Sequence, residues 1–150
     1  MKALYWTFLL LSVSTASLAE ERSMRSKRNI VDLSGVIRCT TGRLAISYLT
    51  YGCHCGPRRS GPTKDQTDMC CHNHDCCYDK AVAAGCWTLI KKYRWNCENQ
   101  QIKCGLNTDT CSQILCECDR EFGECLRNAP YNRKFALYPT FLCRSSTPGC

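Results

Sequence analysis

Residues 70–78 read CCHNHDCCY, and this stretch decides how the chain folds. Cys70 and Cys77 are seven residues apart, so both lie on one face of a helix. Cys118 and Cys125 repeat that spacing later in the chain. Two antiparallel helices would bring Cys70 to Cys125 and Cys77 to Cys118, although spacing alone leaves other connectivities open. The stretch therefore predicts two long antiparallel helices that two disulfides can clamp in one register.

Signals upstream of this stretch place the start and end of the first long helix. Residues 51–62, YGCHCGPRRSGP, are punctuated by glycine and proline and are predicted to form a loop. Asp65 and Asp68 then offer N-capping carboxylates. The helix is predicted to run to about Ala84 and to end at Gly85, since glycine is a common helix terminator.

Three further elements are predicted from the pattern of apolar and polar residues. A second long helix is expected over about 108–127, before Pro130. Residues 91–103 have mixed character and are expected to form a small hairpin. A short amphipathic helix is expected at the start of the folded domain, with an apolar stripe of Ile30, Leu33 and Ile37. The fold class is mainly α and disulfide-rich.

The cysteine content points to an oxidising compartment. The chain has 150 residues and 16 cysteines. Thiols at this density are rare in cytosolic proteins, and so many cysteines and aromatic residues are not typical of a disordered chain. An even count suggests eight disulfides if all cysteines pair. We therefore expect one secreted, extracellular domain that is held together by disulfides and needs no large apolar core.

The N-terminal segments indicate processing. Residues 1–19 have a basic start, an apolar centre and small residues before Ala19, and are predicted to be a signal peptide. Residues 20–28 are polar and charged and end in RSKR, a site of the type that proprotein convertases cut. They are interpreted as a propeptide, which makes the protein a zymogen. The mature domain would be 29–150.

Charge gives little reason to expect a nucleic-acid partner. The whole chain has a formal net charge of +7. Residues 1–28 hold five basic and two acidic side chains, so 29–150 keeps 15 basic and 11 acidic side chains and a net charge of +4. These basic residues are scattered and form no recognition motif. No nucleic-acid binding is predicted.

The two predicted helices bring a polar cluster together between the clamps. His74 lies four residues before Tyr78 and shares its helix face. Asp119 follows Cys118 on the opposite helix, level with that face. A histidine can serve as a general base near neutral pH, and a carboxylate can hold its tautomer. His74 and Asp119 are therefore candidate catalytic residues, although a buried pair without catalysis fits the same pattern.

A second carboxylate in the central stretch points to a metal. Asp75 follows His74 directly, so on a helix its side chain points in a different direction and can face the glycine-containing loop. Calcium takes carboxylate and carbonyl oxygens as ligands, so this pair of elements predicts a calcium site. The alternating cysteines and histidines of 70–77 also allow a zinc site. Disulfides are the preferred interpretation in a chain with this many cysteines.

These motifs together resemble the secretory phospholipase A2 signature. The matching pieces are YGCHCG at 51–56, CCxxHDxCY at 70–78 and CECD at 116–119, with Asp65 and Asp68 between the first two. The likeness covers essentially all of 29–150 and is closest to the group ten type. That type combines two extra bridges, which the resemblance assigns to Cys39 with Cys97 and to Cys76 with Cys150. It further implies the two clamps and the pairs Cys53–Cys143, Cys55–Cys71, Cys86–Cys111 and Cys104–Cys116.

The resemblance also implies roles for individual residues. His74 would take a proton from the water that attacks the sn-2 ester of a glycerophospholipid, and Asp119 would orient His74. The calcium ion would polarise the ester carbonyl and bind the phosphate. Supporting roles would fall to further residues: Tyr78 and Tyr93 behind Asp119, Asp75 with the carbonyls of His54, Gly56 and Arg58 around calcium, and Ile30, Leu33 and Ile37 along the acyl channel.

The predicted calcium loop departs from the family pattern. Arg58 and Arg59 stand where the family has glycine, and the later proline comes one position early. Arginine is disfavoured at positive φ by about 1–2 kcal/mol, and Pro57 lacks an amide donor. The main prediction is a calcium-dependent phospholipase A2 that releases fatty acid and lysophospholipid. A weakly active or inactive binding or matrix protein on the same scaffold is the alternative, and a membrane-disrupting toxin is a third.

The expected partners are phospholipid membranes or micelles, with a monomeric protein and a cell-surface receptor as a further partner. The modest, dispersed charge predicts tolerance of zwitterionic membranes, because attraction to anionic lipid is limited at physiological salt. Apolar and aromatic residues would then make the contact with lipid. Exposure of Trp87 or Trp95 does not follow from the sequence.

Overall fold

The computed structural model describes residues 30–107 and 109–150. The predicted signal peptide, 1–19, and propeptide, 20–28, lie outside the described residues, as does Thr108. Helix α1 spans 30–41. It is followed by the two long helices α2 (Gln66–Ala83) and α3 (Thr110–Asn128), with strands β1 (Trp95–Glu98) and β2 (Gln101–Cys104) between them. Single 3₁₀ turns occupy Ala45–Tyr48, Arg133–Phe135 and Thr140–Leu142.

Both long helices begin at an aspartate cap. The side chain of Asp65 accepts a hydrogen bond from the backbone amide of Asp68, and Asp109 accepts one from the amide of Ser112. Such caps satisfy amides that have no partner inside the helix. Helix α3 ends where Ala129 becomes extended before Pro130, a conformation that proline favours in the residue preceding it. The predicted helices are confirmed to within a few residues.

The predicted hairpin is a two-stranded antiparallel sheet. Trp95 pairs with Cys104, and Cys97 pairs with Ile102. The two residues of the turn, Asn99 and Gln100, have φ values of 50° and 62°. Positive φ at both central residues is the geometry of the two-residue turns that match the twist of paired strands. The hairpin therefore needs no glycine at its tip.

Eight disulfides hold these elements, and all eight pairings implied by the resemblance are confirmed. Cys70–Cys125 and Cys77–Cys118 join α2 to α3, each with a Cα–Cα distance of 5.7 Å. The two helices are therefore clamped antiparallel in the register that the cysteine spacing predicts. The other six are Cys39–Cys97, Cys53–Cys143, Cys55–Cys71, Cys76–Cys150, Cys86–Cys111 and Cys104–Cys116.

Helix α1 packs closely against α3 and the hairpin. A Cβ at Gly123 of α3 would lie 2.8 Å from the Thr40 methyl group, and one at Gly35 would lie 2.6 Å from the Trp95 ring. Glycine at these positions lets the elements approach. Ile37 joins Phe122 in a buried apolar cluster, which also contains Tyr48, Tyr51, Cys55, Cys70, Cys71 and Leu126. Among the described helices, none combines the length and hydrophobicity that a bilayer crossing needs.

Candidate active site

The predicted pair of His74 and Asp119 meets between the two clamps. His74 Nε2 lies 2.6 Å from Asp119 Oδ1. Asp119 is wholly buried, and the His74 side chain is 11% exposed. Because a carboxylate can only accept, Nε2 of His74 carries the proton of this hydrogen bond. In the neutral imidazole, Nδ1 is then left as an acceptor, which is the state that a general base requires.

Two tyrosines complete the hydrogen bonds of Asp119. The Tyr78 hydroxyl donates to Oδ1 at 2.9 Å, and the Tyr93 hydroxyl donates to Oδ2. Burial, reinforced by the charge of Asp119, raises the pKa of Tyr93 far above its ordinary value. Tyr93 therefore remains a protonated donor at any physiological pH. The predicted positions of Tyr78 and Tyr93 behind Asp119 agree with this geometry.

Aromatic contacts fix the plane of the His74 ring. It stacks on Phe122 with ring centroids 4.3 Å apart and lies 4.5 Å from the Tyr78 ring centroid. A cavity of about 130 Å³ opens beside it, lined by Cys70, Asn73, His74, Cys77, Cys118, Glu121, Phe122 and Cys125. These residues come from α2 and α3, so the predicted channel residues of α1 are not among them.

The three predicted channel residues differ in their surroundings. Ile37 is buried in the cluster that contains Phe122, and Leu33 packs against that cluster. Ile30 is 59% exposed. The apolar stripe of α1 thus runs from solvent to the ring on which His74 stacks. The predicted role in acyl-chain binding remains a prediction.

Asp75 contacts the loop through Arg59. Its Oδ2 atom is buried and accepts no hydrogen bond among the described residues. The nearest cation is the Arg59 guanidinium, whose Nε lies 3.2 Å from that oxygen. Burial raises the pKa of Asp75, and Arg59 is the largest influence in the opposite direction. A buried carboxylate oxygen that accepts no hydrogen bond and faces a cation is suited to binding positive charge.

The loop that would supply the remaining calcium ligands is anchored by Asp68. This wholly buried carboxylate accepts hydrogen bonds from the amides of Cys53 at 2.9 Å, His54 at 2.8 Å and Lys64 at 2.9 Å. Gly56 has φ of 77°, and a Cβ there would overlap the carbonyl oxygen of Leu49. Two contacts therefore position the backbone of the loop: the hydrogen bonds of its amides to Asp68, and the close approach of Gly56 to the Leu49 carbonyl.

The expected strain at Arg58 and Arg59 is wrong. The described non-glycine residues with positive φ are Asn99 and Gln100, so neither arginine adopts the left-handed conformation. Arg58 instead donates from Nη1 to the Tyr138 carbonyl. The backbone of the loop therefore follows a path that arginine can adopt.

The donor set fits calcium and does not fit zinc. Asp75 and the carbonyls of His54, Gly56 and Arg58 are hard oxygen donors of the kind that calcium prefers. Among the described residues, the one group of histidine and cysteine side chains close enough for a metal is His72, Cys76 and Cys150. Cys76 and Cys150 form a disulfide, and no described cysteine is free. The chain therefore offers no thiolate for zinc there.

Two functional contacts were missed by sequence reasoning. Asp68 was recognised as a cap and motif residue, but its role as loop anchor depends on backbone amides that approach it from residues 53–64. The Arg59–Asp75 contact was also missed. The sequence does hold a signal for this contact, because a cationic side chain is unusual in a loop predicted to bind calcium. The direction in which the Arg59 side chain points does not follow from the sequence.

Comparison with known proteins is consistent with this geometry. The family model described as phospholipase A2 matches residues 30–136, which include helices α1 to α3 and strands β1 and β2. The chain is 43% identical over 124 residues to the group 10 secretory phospholipase A2 of Homo sapiens, covering 83% of this chain and 75% of that protein. It is 38% identical over 134 residues to the Mus musculus group 10 protein, with 89% of each covered. A phospholipase A2 of Meiacanthus atrodorsalis is 44% identical over 150 residues, covering 100% of this chain and 98% of that protein.

Proposed function

The chain belongs to the phospholipase A2 family, and from this we propose that it is a secreted, calcium-dependent phospholipase A2. It hydrolyses the sn-2 ester of glycerophospholipids at membrane interfaces and releases a fatty acid and a lysophospholipid. The observation that supports this most directly is the 2.6 Å contact between His74 and buried Asp119. That contact leaves Nδ1 of His74 as a proton acceptor.

The reaction needs two proton transfers at His74. Nδ1 takes a proton from water while the water oxygen attacks the sn-2 carbonyl carbon. Asp119 stabilises the resulting imidazolium through Nε2. When the ester C–O bond breaks, the imidazolium returns the proton to the leaving glycerol oxygen. The products are the fatty acid and the lysophospholipid, and His74 is neutral again.

The metal site is assigned to four residues of the loop and α2. Asp75 would contribute its carboxylate, and His54, Gly56 and Arg58 would contribute backbone carbonyls. Calcium bound there supplies positive charge that polarises the ester carbonyl and attracts the lipid phosphate. The Gly56 amide lies in the same loop and is assigned to the developing oxyanion.

The catalytic proposal is tested with phosphatidylcholine vesicles. We expect the secreted 29–150 form to release sn-2 fatty acid in calcium and to release none after chelation. His74→Gln should abolish hydrolysis because glutamine cannot take the proton. His72→Gln is the matched control, since His72 lies on the same helix with Nε2 at 3.3 Å from the Gly149 carbonyl. Hydrolysis that persists at the wild-type rate in His74→Gln would exclude the mechanism.

The second candidate function is a non-catalytic binding or matrix protein on the same scaffold. The observation that favours it is Arg59, which places a guanidinium on the predicted calcium carboxylate. Calorimetric calcium titration separates the two candidates. Absence of any site tighter than millimolar, together with no hydrolysis, would favour the binding protein.

The precursor is proposed to be cut twice, after Ala19 and after Arg28. The second cut would release the enzyme from residues 20–28 and leave Asn29 as the first residue of the domain. Mass spectrometry of the secreted product should give that N-terminus. Arg28→Ala should leave the propeptide attached, and an unchanged N-terminus in this variant would exclude the assignment.

The proposed partner is a lipid surface that need not be anionic. Trp87 is 74% exposed, whereas Trp95 is packed over Gly35, so Trp87 is the tryptophan available for such a contact. Ile30 and Val31 add exposed apolar area at the start of α1. Strict dependence of binding on anionic lipid would contradict this proposal. A monomeric state and a cell-surface receptor are proposed with it, and sedimentation of the secreted protein tests the former.

A further inference from the structure

The Arg59 guanidinium bridges the carboxylates of two residues of α2. Its Nε lies 3.2 Å from Asp75 Oδ2, and its Nη2 lies 2.6 Å from Asp79 Oδ2. Nη2 also lies 3.3 Å from the Asp75 backbone carbonyl. The guanidinium therefore bridges one turn of the helix and covers one oxygen of the carboxylate assigned to calcium.

Calcium and Arg59 compete for the carboxylate of Asp75, because Arg59 already faces its Oδ2 atom. That oxygen is buried and accepts no hydrogen bond among the described residues, so the guanidinium supplies its nearest positive charge. A dication that binds Asp75 must displace the guanidinium or share the carboxylate with it. Arg59 therefore disfavours calcium binding in two ways. Its guanidinium occupies the carboxylate that calcium needs, and its positive charge repels the calcium ion at this short range.

The surroundings allow the Arg59 side chain to move away. It is 48% exposed, and its second partner, Asp79, is 55% exposed. A cavity of about 300 Å³ lies beside the Arg59 guanidinium. It is lined by His54, Arg59, His72, Asp75, Cys76, Asp79, Thr147, Pro148 and Cys150. The guanidinium can thus keep its bond to Asp79 and leave Asp75 to the metal.

We propose that Arg59 is a tethered counter-ion of the calcium carboxylate, which calcium must displace from Asp75 and which lowers the calcium affinity of the site. This inference rests on the proposed function. It makes Arg59 the residue that determines how much calcium the enzyme needs. Arg120 of α3 also bridges two carboxylates, those of Glu117 and Glu124, but it lies outside the assigned calcium site and has no such role.

The test is calorimetric calcium titration of the secreted product of the full chain, with Arg59→Gln and the matched control Arg120→Gln, which removes an arginine that bridges two carboxylates of α3. We expect Arg59→Gln to bind calcium about three- to tenfold more tightly, as removal of one partly exposed opposing charge allows. Arg120→Gln should bind calcium with wild-type affinity. Circular dichroism of each variant checks that its fold is retained.

A charge-preserving variant separates repulsion from loop rearrangement. Arg59→Lys keeps the positive charge near Asp75 and should bind calcium within about twofold of wild type. An equal gain in Arg59→Lys and Arg59→Gln would overturn the proposal, because the effect would not then depend on charge.

Stability without calcium gives a second readout. In chelator, Arg59→Gln should lower the denaturation midpoint because Asp75 loses its counter-ion. In saturating calcium, the difference from wild type should disappear or reverse. A deficit of equal size in both conditions would overturn the proposal.

The remaining outcomes distinguish this inference from the proposed function. Equal calcium affinity in wild type and Arg59→Gln, with calcium-dependent hydrolysis in both, would overturn the role of Arg59 and leave the proposed function standing. Failure of every variant and of wild type to bind calcium would overturn both.

Discussion

Asp119 lies directly behind His74, with Oδ1 of the carboxylate 2.6 Å from Nε2 of the imidazole. The contact joins α2 to α3 beside the Cys77–Cys118 disulfide, since Asp119 follows Cys118 and His74 lies three residues before Cys77. The disulfide and the hydrogen bond therefore hold the same point of the helix pair. The disulfide keeps the two helices together at this point, so His74 and Asp119 stay opposite each other.

Replacement of Asp119 by asparagine tests this arrangement. The amide can donate to Nε2 and thereby favour the tautomer in which Nδ1 carries the proton. We expect kcat to fall about ten- to a thousandfold, the range that general acid–base assistance contributes. The acidic limb of the pH–rate profile should also move to lower pH, because a neutral amide no longer stabilises the imidazolium.

The pH profile is the decisive measurement for this variant. A purely structural role for Asp119 would lower the rate at every pH and leave the limb in place. Tyr93→Phe serves as the control, since it removes a donor to Asp119 but keeps the carboxylate. It should preserve the position of the limb.

The sequence predicted the scaffold because its determinants are local or periodic. The seven-residue cysteine spacing predicts a shared helix face, and Asp65 and Asp109 mark helix starts with their own side chains. Asp119 could be placed opposite His74 from that register alone. The remaining contacts depend on the path of an irregular loop. Arg59 meets Asp75 across 16 residues with no periodic pattern between them, so side-chain direction there follows only from the folded backbone.

Gly56 is expected to be indispensable for the loop. Gly56 and Gly42 have similar φ values, 77° and 70°, so an alanine at either position carries a similar backbone penalty of about 1–2 kcal/mol. Their surroundings differ, because a Cβ at Gly56 overlaps the Leu49 carbonyl oxygen, whereas one at Gly42 has nothing within 4 Å. Gly56→Ala should therefore lose clearly more unfolding free energy than Gly42→Ala, and should also lose calcium binding. Equal losses in denaturant unfolding would show that the overlap is relieved without cost.

Asp68 is expected to be the largest single polar contribution to loop stability. Its two oxygens accept three backbone amides, and an asparagine has one acceptor oxygen in their place. Asp68→Asn should lower the unfolding free energy by about 2–4 kcal/mol, since it leaves a buried amide facing an amide donor. Denaturant unfolding with the disulfides intact measures the change. Asp79→Asn, at an exposed position of the same helix, should cost no more than about 1 kcal/mol. A comparable loss in the two variants would count against the anchoring role.

Asp109 should make the stability of α3 depend on acid pH. The hydrogen bond from the Ser112 amide, followed by the contact with Lys91, lowers the pKa of Asp109 to about 2. The unfolded chain has an ordinary value of about 3.9. Because the folded value is the lower one, the charged cap stabilises the fold above about pH 4, and this stabilisation is lost as the pH falls through about 2.

Comparison of wild type with Asp109→Asn isolates this effect, since asparagine keeps a capping oxygen without the charge. The gap in unfolding free energy between the two proteins should be constant near neutral pH, shrink between about pH 4 and pH 2, and reach a minimum below that range. Denaturant unfolding at low salt is the appropriate measurement, because salt screens an exposed carboxylate. A gap that stays the same down to pH 2 would assign the capping effect to hydrogen-bond geometry alone, with no contribution from the charge of Asp109.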